Sequence, residues 1–68
     1  MAKKGEEIVD ISVTIEHDTG AAWKVTSHLT NRTAWIAYQM AEMHEYSPST
    51  RTATLTLPTH IAEEKELI

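Results

Sequence analysis

The sequence predicts a small domain built on β-strands, either mainly β or α+β, and two alternating segments near its ends carry the strands of that prediction. β-Branched residues take every second position of "IVDISVTIEH", namely Val9, Ile11, Val13 and Ile15. Apolar residues alternate in the same way with threonines in "RTATLTL", namely Ala53, Leu55 and Leu57. Period-two alternation is typical of a strand with one face on a core and the other in water.

The first strand is followed by the signals of a hairpin. Asp18 and Gly20 in "HDTG" favour a turn, because aspartate bonds its own downstream backbone and glycine accepts a positive φ. In the next run, "AAWKVTS", Ala21, Trp23 and Val25 share one face, which predicts a second strand. The polar connection "SHLTNRT" follows, with Asn31 predicted in a left-handed conformation.

The segment from Thr33 to Tyr46, "TAWIAYQMAEMHEY", fits two structures. Its alanines, methionines and glutamates favour a helix over 33–45, with Ile36, Met40 and Met43 on one face. Read as a strand, it alternates Ile36, Tyr38 and Met40 with the residues between them. Composition favours the helix, which would make the domain α+β: a hairpin, a helix, a strand and a short terminal helix.

The last part of the chain predicts a turn at "SPST", the threonine-faced strand and then a short helix. Pro58 stops the strand, and Thr59 is the predicted cap of the helix in "PTHIAEEKELI". A helix of two to three turns is not stable alone in water, so it must dock against the sheet.

The residues from 19 to 68 resemble a family of small uncharacterised proteins that is frequent in phage and prophage genomes. The pattern of that family is a "KA-x-L-V"-like strand, a "W-L-P-K-S" strand and a terminal "L-P-x-W-L-A-x-E-K-G-L". Trp35 and Ile36 match the start of the middle motif. The terminal motif is matched by Leu57, Pro58, Ile61, Ala62, Glu64, Lys65 and Leu67.

The chain departs from the family at five positions, Ala37, Tyr38, Gln39, His60 and Glu66. They stand where the family has proline, lysine, serine, tryptophan and glycine. Proline is incompatible with a mid-helix position, so the resemblance implies that the chain is a strand from Trp35 onward. The implied fold is mainly β: a small, antiparallel, barrel-like sheet of about four strands with a short C-terminal helix.

Length and charge narrow the classes of function. The 68 residues suffice for one small domain, which we expect over 7–68 after a disordered N-terminus at 1–6. No residue is a cysteine, so disulfides and thiolate zinc sites are excluded. The net charge of −4 and the scattered six bases make nucleic acid an unlikely partner. Without an apolar leader or a long apolar run, we expect a soluble cytoplasmic protein with no membrane contact.

No residue pattern points to catalysis, a metal or a cofactor. The four histidines, His17, His28, His44 and His60, lack the paired spacing of ligand sets. The serines lack the motif of a nucleophile. Without phenylalanine, Trp23 and Trp35 are expected to fill the core.

The sequence therefore predicts a small non-enzymatic binding module that acts by protein–protein contact. The resemblance implies that it is phage- or prophage-encoded and that its partner is a host or phage protein. Self-association through a strand edge is a further expectation. The predicted contact residues are Arg32, Tyr38, Met40, Met43, His44 and Tyr46. The alternative is a small β-barrel that binds single-stranded nucleic acid by stacking bases on its aromatic side chains.

Overall fold

The chain forms one five-stranded antiparallel sheet and a short C-terminal helix in a computed structural model that describes residues 7–68. The elements are β1 (Ile8–Asp18), β2 (Ala22–Ser27), β3 (Thr33–Ala37), a 3-10 turn (Tyr38–Met40), β4 (Glu42–Ser47), β5 (Thr52–Pro58) and α1 (Thr59–Glu64). The strand order is β3-β2-β1-β5-β4, and the sheet is not closed. The mainly β prediction is confirmed, with five strands rather than about four. The expected disorder at 1–6 lies outside the described residues.

The ambiguous segment is neither a helix nor one strand. It forms β3 and β4, which lie at opposite edges of the sheet, with the 3-10 turn between them. The helix over 33–45 is therefore wrong. Pairing with β2 places Ile36 opposite Trp23 and buries Ile36 completely, which outweighs a helix propensity of a few tenths of a kcal/mol per residue.

β1 is the central strand and uses its two halves differently. It pairs with β5 from Ile8 to Thr14 and with β2 from Val13 to Asp18, where a bulge lies between Ile15 and His17. The four residues from Tyr38 to Ala41 join the two edge strands. A fully extended link would span at most ~18 Å, and the 3-10 turn, which rises only about 2 Å per residue, makes it clearly shorter than the roughly 19 Å between the edges of five flat strands. The sheet must therefore curl over its own core.

The core lies on one face of this curled sheet. It consists of Ile11, Val13, Ile15, Trp23, Val25, Ile36, Ala53, Leu55, Leu57, Ala62 and Leu67. Trp23 is 9% exposed and belongs to it as predicted, but Trp35 is 46% exposed, so its assignment to the core is wrong. The register of β3 explains the difference, because Ile36 faces the core and its neighbour Trp35 must then face outward.

The C-terminal residues close one side of the core by hydrogen bonds to the end of β2 and to the loop that follows it. The fully buried Ser27 hydroxyl donates to the Leu67 carbonyl at 2.6 Å, and the Thr30 hydroxyl donates to the Glu66 carbonyl at 2.7 Å. Two residues after the end of helix α1, Glu66 adopts a left-handed conformation with a φ of 61°. The Leu67 amide then donates back to the Ala62 carbonyl at 2.8 Å. This is the usual geometry of a helix C-terminus.

Thr59 does not cap this helix as predicted, because Pro58 takes the capping position and no side chain bonds the helix start. The Thr59 amide instead donates to the Glu7 carbonyl at 2.9 Å, which ties the helix start to the beginning of β1. Within residues 7–68, no helix is long and apolar enough to cross a membrane.

Candidate binding site

The six predicted contact residues lie in three separate places. Tyr38 and Met40 belong to the 3-10 turn that joins the edge strands. Three others, Met43, His44 and Tyr46, lie on β4. Arg32 precedes β3 and is roughly 20 Å of extended chain away from Tyr38. The structure therefore does not bring all six into one surface.

The 3-10 turn borders a shallow depression of about 400 Å³, which we call the crossover groove. It is lined by Ile8, Tyr38, Gln39, Met40, Ala41, Glu42, Thr56, Leu57 and Pro58. Met40 packs partly against the core, and the Tyr38 ring stacks on Trp23 with 4.4 Å between ring centroids. Two of the predicted residues thus line one concave surface.

Tyr38 is also held by its hydroxyl, which donates to the Asp18 carboxylate at the end of β1. The same carboxylate accepts the Gly20 amide at 2.9 Å. The bond from Tyr38 is the main reason that the pKa of Asp18 lies below its ordinary value, and the Gly20 amide adds to the effect. The bond to Asp18 also raises the pKa of Tyr38. This pair fixes the start of the turn to the β1–β2 hairpin.

Of the predicted contact residues on β4, Met43 and His44 lie on opposite faces, as the alternation of a strand requires. Met43 pairs with Leu55 and packs against the core, whereas His44 pairs with Thr54 on the outer face. His44 Nε2 lies 3.5 Å from a carboxylate oxygen of Glu42. The register then shifts between His44 and Ser47, where Glu45 has a φ of 54° and Tyr46 is 47% exposed. The 3-10 turn and this register shift interrupt the predicted alternation of Tyr38, Met40 and Tyr46.

Arg32, the remaining predicted contact residue, makes two contacts within the fold. Its Nε lies 3.4 Å from a Glu66 carboxylate oxygen, and its carbonyl accepts the Ser27 amide at 2.9 Å. Both side chains of the ion pair are largely exposed, so the pair adds about 1 kcal/mol at most. Arg32 thus connects the start of β3 to the C-terminus.

Sequence reasoning missed a second depression, which we call the β1 notch. It has a volume of about 330 Å³ and is lined by Asp10, Ile11, Ser12, His28 and Leu29. It exists because β2 turns away from β1 after Ser27, where the loop to β3 begins. In the part of the chain from 7 to 68, no strand lies beside residues 8–12 of β1 on this side. The length of β1, eleven residues against six in β2, is the sequence signal that could have found it.

The direction of the backbone groups at the notch follows from two hydrogen bonds. The Ser12 carbonyl accepts the His28 amide at 2.9 Å, so even-numbered residues of this half direct their N–H and C=O towards the notch. The Ile15 amide donates to the Arg51 carbonyl at 2.7 Å on the opposite side, which confirms the alternation. Asp10 therefore presents both backbone groups to the notch. Two large apolar side chains lie at or near the notch. Leu29, which lines it, is 73% exposed, and Ile8, two residues before Asp10 on β1, is 65% exposed.

The outer face of the sheet is a polar surface in which hydroxyl groups bond the carboxylates. Thr56 donates to Asp10 at 2.6 Å, Thr26 donates to Glu16 at 3.0 Å, and Thr54 donates to Glu45 at 3.3 Å. Among the described residues, no group of three or more histidine, aspartate or glutamate side chains could hold a metal ion.

These features define a small, open, antiparallel-sheet domain whose distinctive surfaces are strand edges and shallow depressions. Comparison with protein-family models, with curated proteins and with solved structures found no match.

Proposed function

We propose that the protein is a small non-enzymatic binding module that contacts another protein through the β1 notch. An extended segment of the partner would add to the sheet beside residues 8–12 of β1. The observation that carries the proposal is the free side of this central strand, where Asp10 presents an amide and a carbonyl to the notch. Main-chain hydrogen bonds of this kind supply affinity in strand addition, and adjacent pockets supply specificity.

The surroundings of the notch favour a particular kind of segment. The apolar side chains of Ile8 and Leu29 are exposed beside it and would cover aliphatic residues of the partner. The Asp10 carboxylate on the outer face favours a lysine or arginine opposite it, by roughly 0.2–1 kcal/mol. The net charge of −4 also favours a partner with a basic face.

The crossover groove adjoins the same half of β1, because Ile8 is among its lining residues. The rest of its lining lies on the 3-10 turn, β4 and β5, and β5 is on the other side of β1 from the notch, so the proposed contact does not require the predicted contact residues Tyr38 and Met40. Residues on β4 and Arg32 play no part in this proposal.

The proposed relation to the phage and prophage family has support from two backbone conformations. Ala37 stands where the family has proline, and its φ of −66° is the value that proline requires. Glu66 stands where the family has glycine, and its φ of 61° is the left-handed value that glycine accepts. On this proposal the protein acts in the cytoplasm of the host cell on a host or phage protein.

The test uses a displayed library of extended peptides, selected for binding to the full chain. Selected peptides are then titrated into labelled protein, and amide hydrogen exchange is measured along β1. We expect the Asp10 amide to become protected on binding, because it would donate to the peptide. Protection confined to other strands would contradict the proposal.

Two exposed apolar residues provide matched variants for this test. Leu29→Ser removes an apolar side chain at the notch, and we expect it to weaken peptide binding by about tenfold, or 1.4 kcal/mol. Tyr46→Ser removes an exposed aromatic from β4 and is expected to leave binding unchanged. The reverse result would place the contact on β4 instead of at the notch.

A second candidate function is single-stranded nucleic-acid binding, and Trp35 is the observation that favours it. Its ring lies on the outer face, 6.1 Å from the His17 ring and in edge-to-face geometry with it, and Trp35 pairs with Lys24. One aromatic beside one lysine is a much smaller platform than the row of aromatics and basic groove of such proteins. The carboxylates on the same face oppose phosphate binding.

An oligonucleotide titration separates the two candidates. Oligo-dT added to the protein at low salt is expected to leave tryptophan fluorescence unchanged. Quenching that disappears steeply as salt is raised would favour nucleic-acid binding and count against the protein-contact proposal.

A further inference from the structure

The two edges of the sheet differ in how they are protected against pairing with another strand. β4 carries two glutamates, at 42 and 45, and a bulge that interrupts its register. These are features by which proteins keep edge strands from associating. β3, "TAWIA", has no charged residue, proline, glycine or bulge. The edge formed by β3 can therefore pair with a further strand, whereas the edge formed by β4 is protected against such pairing.

The backbone groups of β3 that point away from the sheet can be assigned from its pairing with β2. The Ser27 amide donates to the Arg32 carbonyl, and the Tyr38 amide donates to the Ala21 carbonyl, each at 2.9 Å. Even-numbered residues of β3 thus face β2, and odd-numbered residues direct their amides and carbonyls outward. Thr33, Trp35 and Ala37 are the residues whose backbone is presented at the edge.

We propose that β3 pairs with β3 of a second copy of this chain, antiparallel about a two-fold axis at Trp35. This would join two sheets into one of ten strands. In this register Trp35 pairs with its symmetry mate, Thr33 pairs with Ala37 of the second copy, and Ala34 pairs with Ile36 of the second copy. The outward groups of the three odd-numbered residues would form six hydrogen bonds across the two-fold axis.

The occupant is a second copy because the strand is complementary to itself. Every cross-strand pair is uncharged, and the central tryptophan pair is of the aromatic kind that stabilises sheets. The half-exposed Trp35 side chain would lose its remaining water on pairing. Self-pairing of residues 8–12 of β1, by contrast, would place Asp10 opposite Asp10 of the second copy, which repels. The dimer inference concerns an edge that the proposed function does not use, so a result against one does not contradict the other.

The decisive variant is Ala37→Pro. The φ of −66° at Ala37 suits proline, and the Ala37 amide points away from β2, so the monomer keeps its fold. The dimer would lose two of its six hydrogen bonds, one from each copy. Each lost bond is expected to raise the dimer dissociation constant by roughly two- to twelvefold, so we expect the loss of both to raise it by about 5- to 150-fold.

Sedimentation equilibrium of the full chain, up to about 1 mM, measures that constant, and circular dichroism confirms that each variant is folded. Trp35→Lys is the second variant, because it places two like charges opposite each other and should also dissociate the dimer. His44→Lys adds the same charge to the β4 edge and is the matched control, for which we expect no change.

Two outcomes would overturn the inference. One is a protein that remains monomeric over the whole concentration range. The other is a dimer that Ala37→Pro and Trp35→Lys leave intact, since association would then use a different surface. A dimer that both variants dissociate and His44→Lys preserves supports the proposed pairing of β3.

Discussion

Replacing Glu66 with glycine tests how the C-terminal helix is terminated. Glu66 has a φ of 61°, a left-handed conformation that costs an ordinary L-residue about 1–2 kcal/mol and costs glycine almost nothing. The bond from Thr30 to the Glu66 carbonyl uses the backbone, so it survives any substitution at this position. The side chain itself contributes the exposed ion pair with Arg32, with a contribution of at most ~1 kcal/mol.

The informative quantity is the difference in the free energy of unfolding between the Glu66→Gly and Glu66→Ala variants. Both variants lose the ion pair, but only glycine relieves the left-handed backbone. Glycine also gains freedom in the unfolded chain, which offsets about 0.4–1 kcal/mol of that relief. We therefore expect the glycine variant to be more stable than the alanine variant by about 1 kcal/mol. In a chain of this length, such a difference raises the melting temperature by roughly 4–8 °C.

Urea denaturation followed by circular dichroism measures this difference, with equal slopes indicating that the unfolded states are alike. Glycine and alanine variants of equal stability would refute the reasoning. That result would mean that residue 66 is not constrained to the left-handed region in solution.

Two further predictions concern single hydrogen bonds. Ser27→Ala leaves the buried Leu67 carbonyl without its donor and should lower the free energy of unfolding by about 1–3 kcal/mol. Thr30→Ala removes an exposed hydrogen bond and should lower it by less than ~1 kcal/mol. Equal losses of the two variants in urea denaturation would contradict the assigned burial of Ser27. Tyr38→Phe removes the bond to Asp18 and should lower stability most near neutral pH. The lowered pKa of Asp18 means that the bond contributes above the unfolded value of 3.8 and is lost at more acidic pH. The raised pKa of Tyr38 means that the contribution is fully present below the unfolded value of 10.0 and is lost as the pH rises from there through the higher folded value. Urea midpoints of the two proteins should therefore converge at both extremes, and a constant gap would contradict the pairing.

The local residue pattern was sufficient to predict the strands that have one apolar and one polar face. The alternation in β1 and β5 identifies Val13 and Leu55 as core residues, and both are fully buried. A strand has a side-chain period of two whatever its neighbours are, so its buried face can be read without knowing the topology. The left-handed turn residue Asn31, at φ 63°, follows from equally local chemistry.

The segment from Thr33 to Tyr46 could not be assigned from its own residues. Its helix-favouring composition is overruled by pairing with β2 and β5, strands that lie before and after it in the chain. The same long-range pairing sets the register of β3, so that Ile36 is buried and Trp35 is exposed. No local property of the segment distinguishes these two large apolar residues.

The candidate binding site depended even more on tertiary structure. The sequence by itself determined one small domain, the strands at its two ends and a net charge of −4. Only the tertiary structure decided that β2 leaves β1 at Ser27 and that β3 and β4 become the two edges. The physical reason is that a strand edge is open only where no other strand pairs with it. Which edges stay open therefore depends on how all the strands of the sheet are arranged.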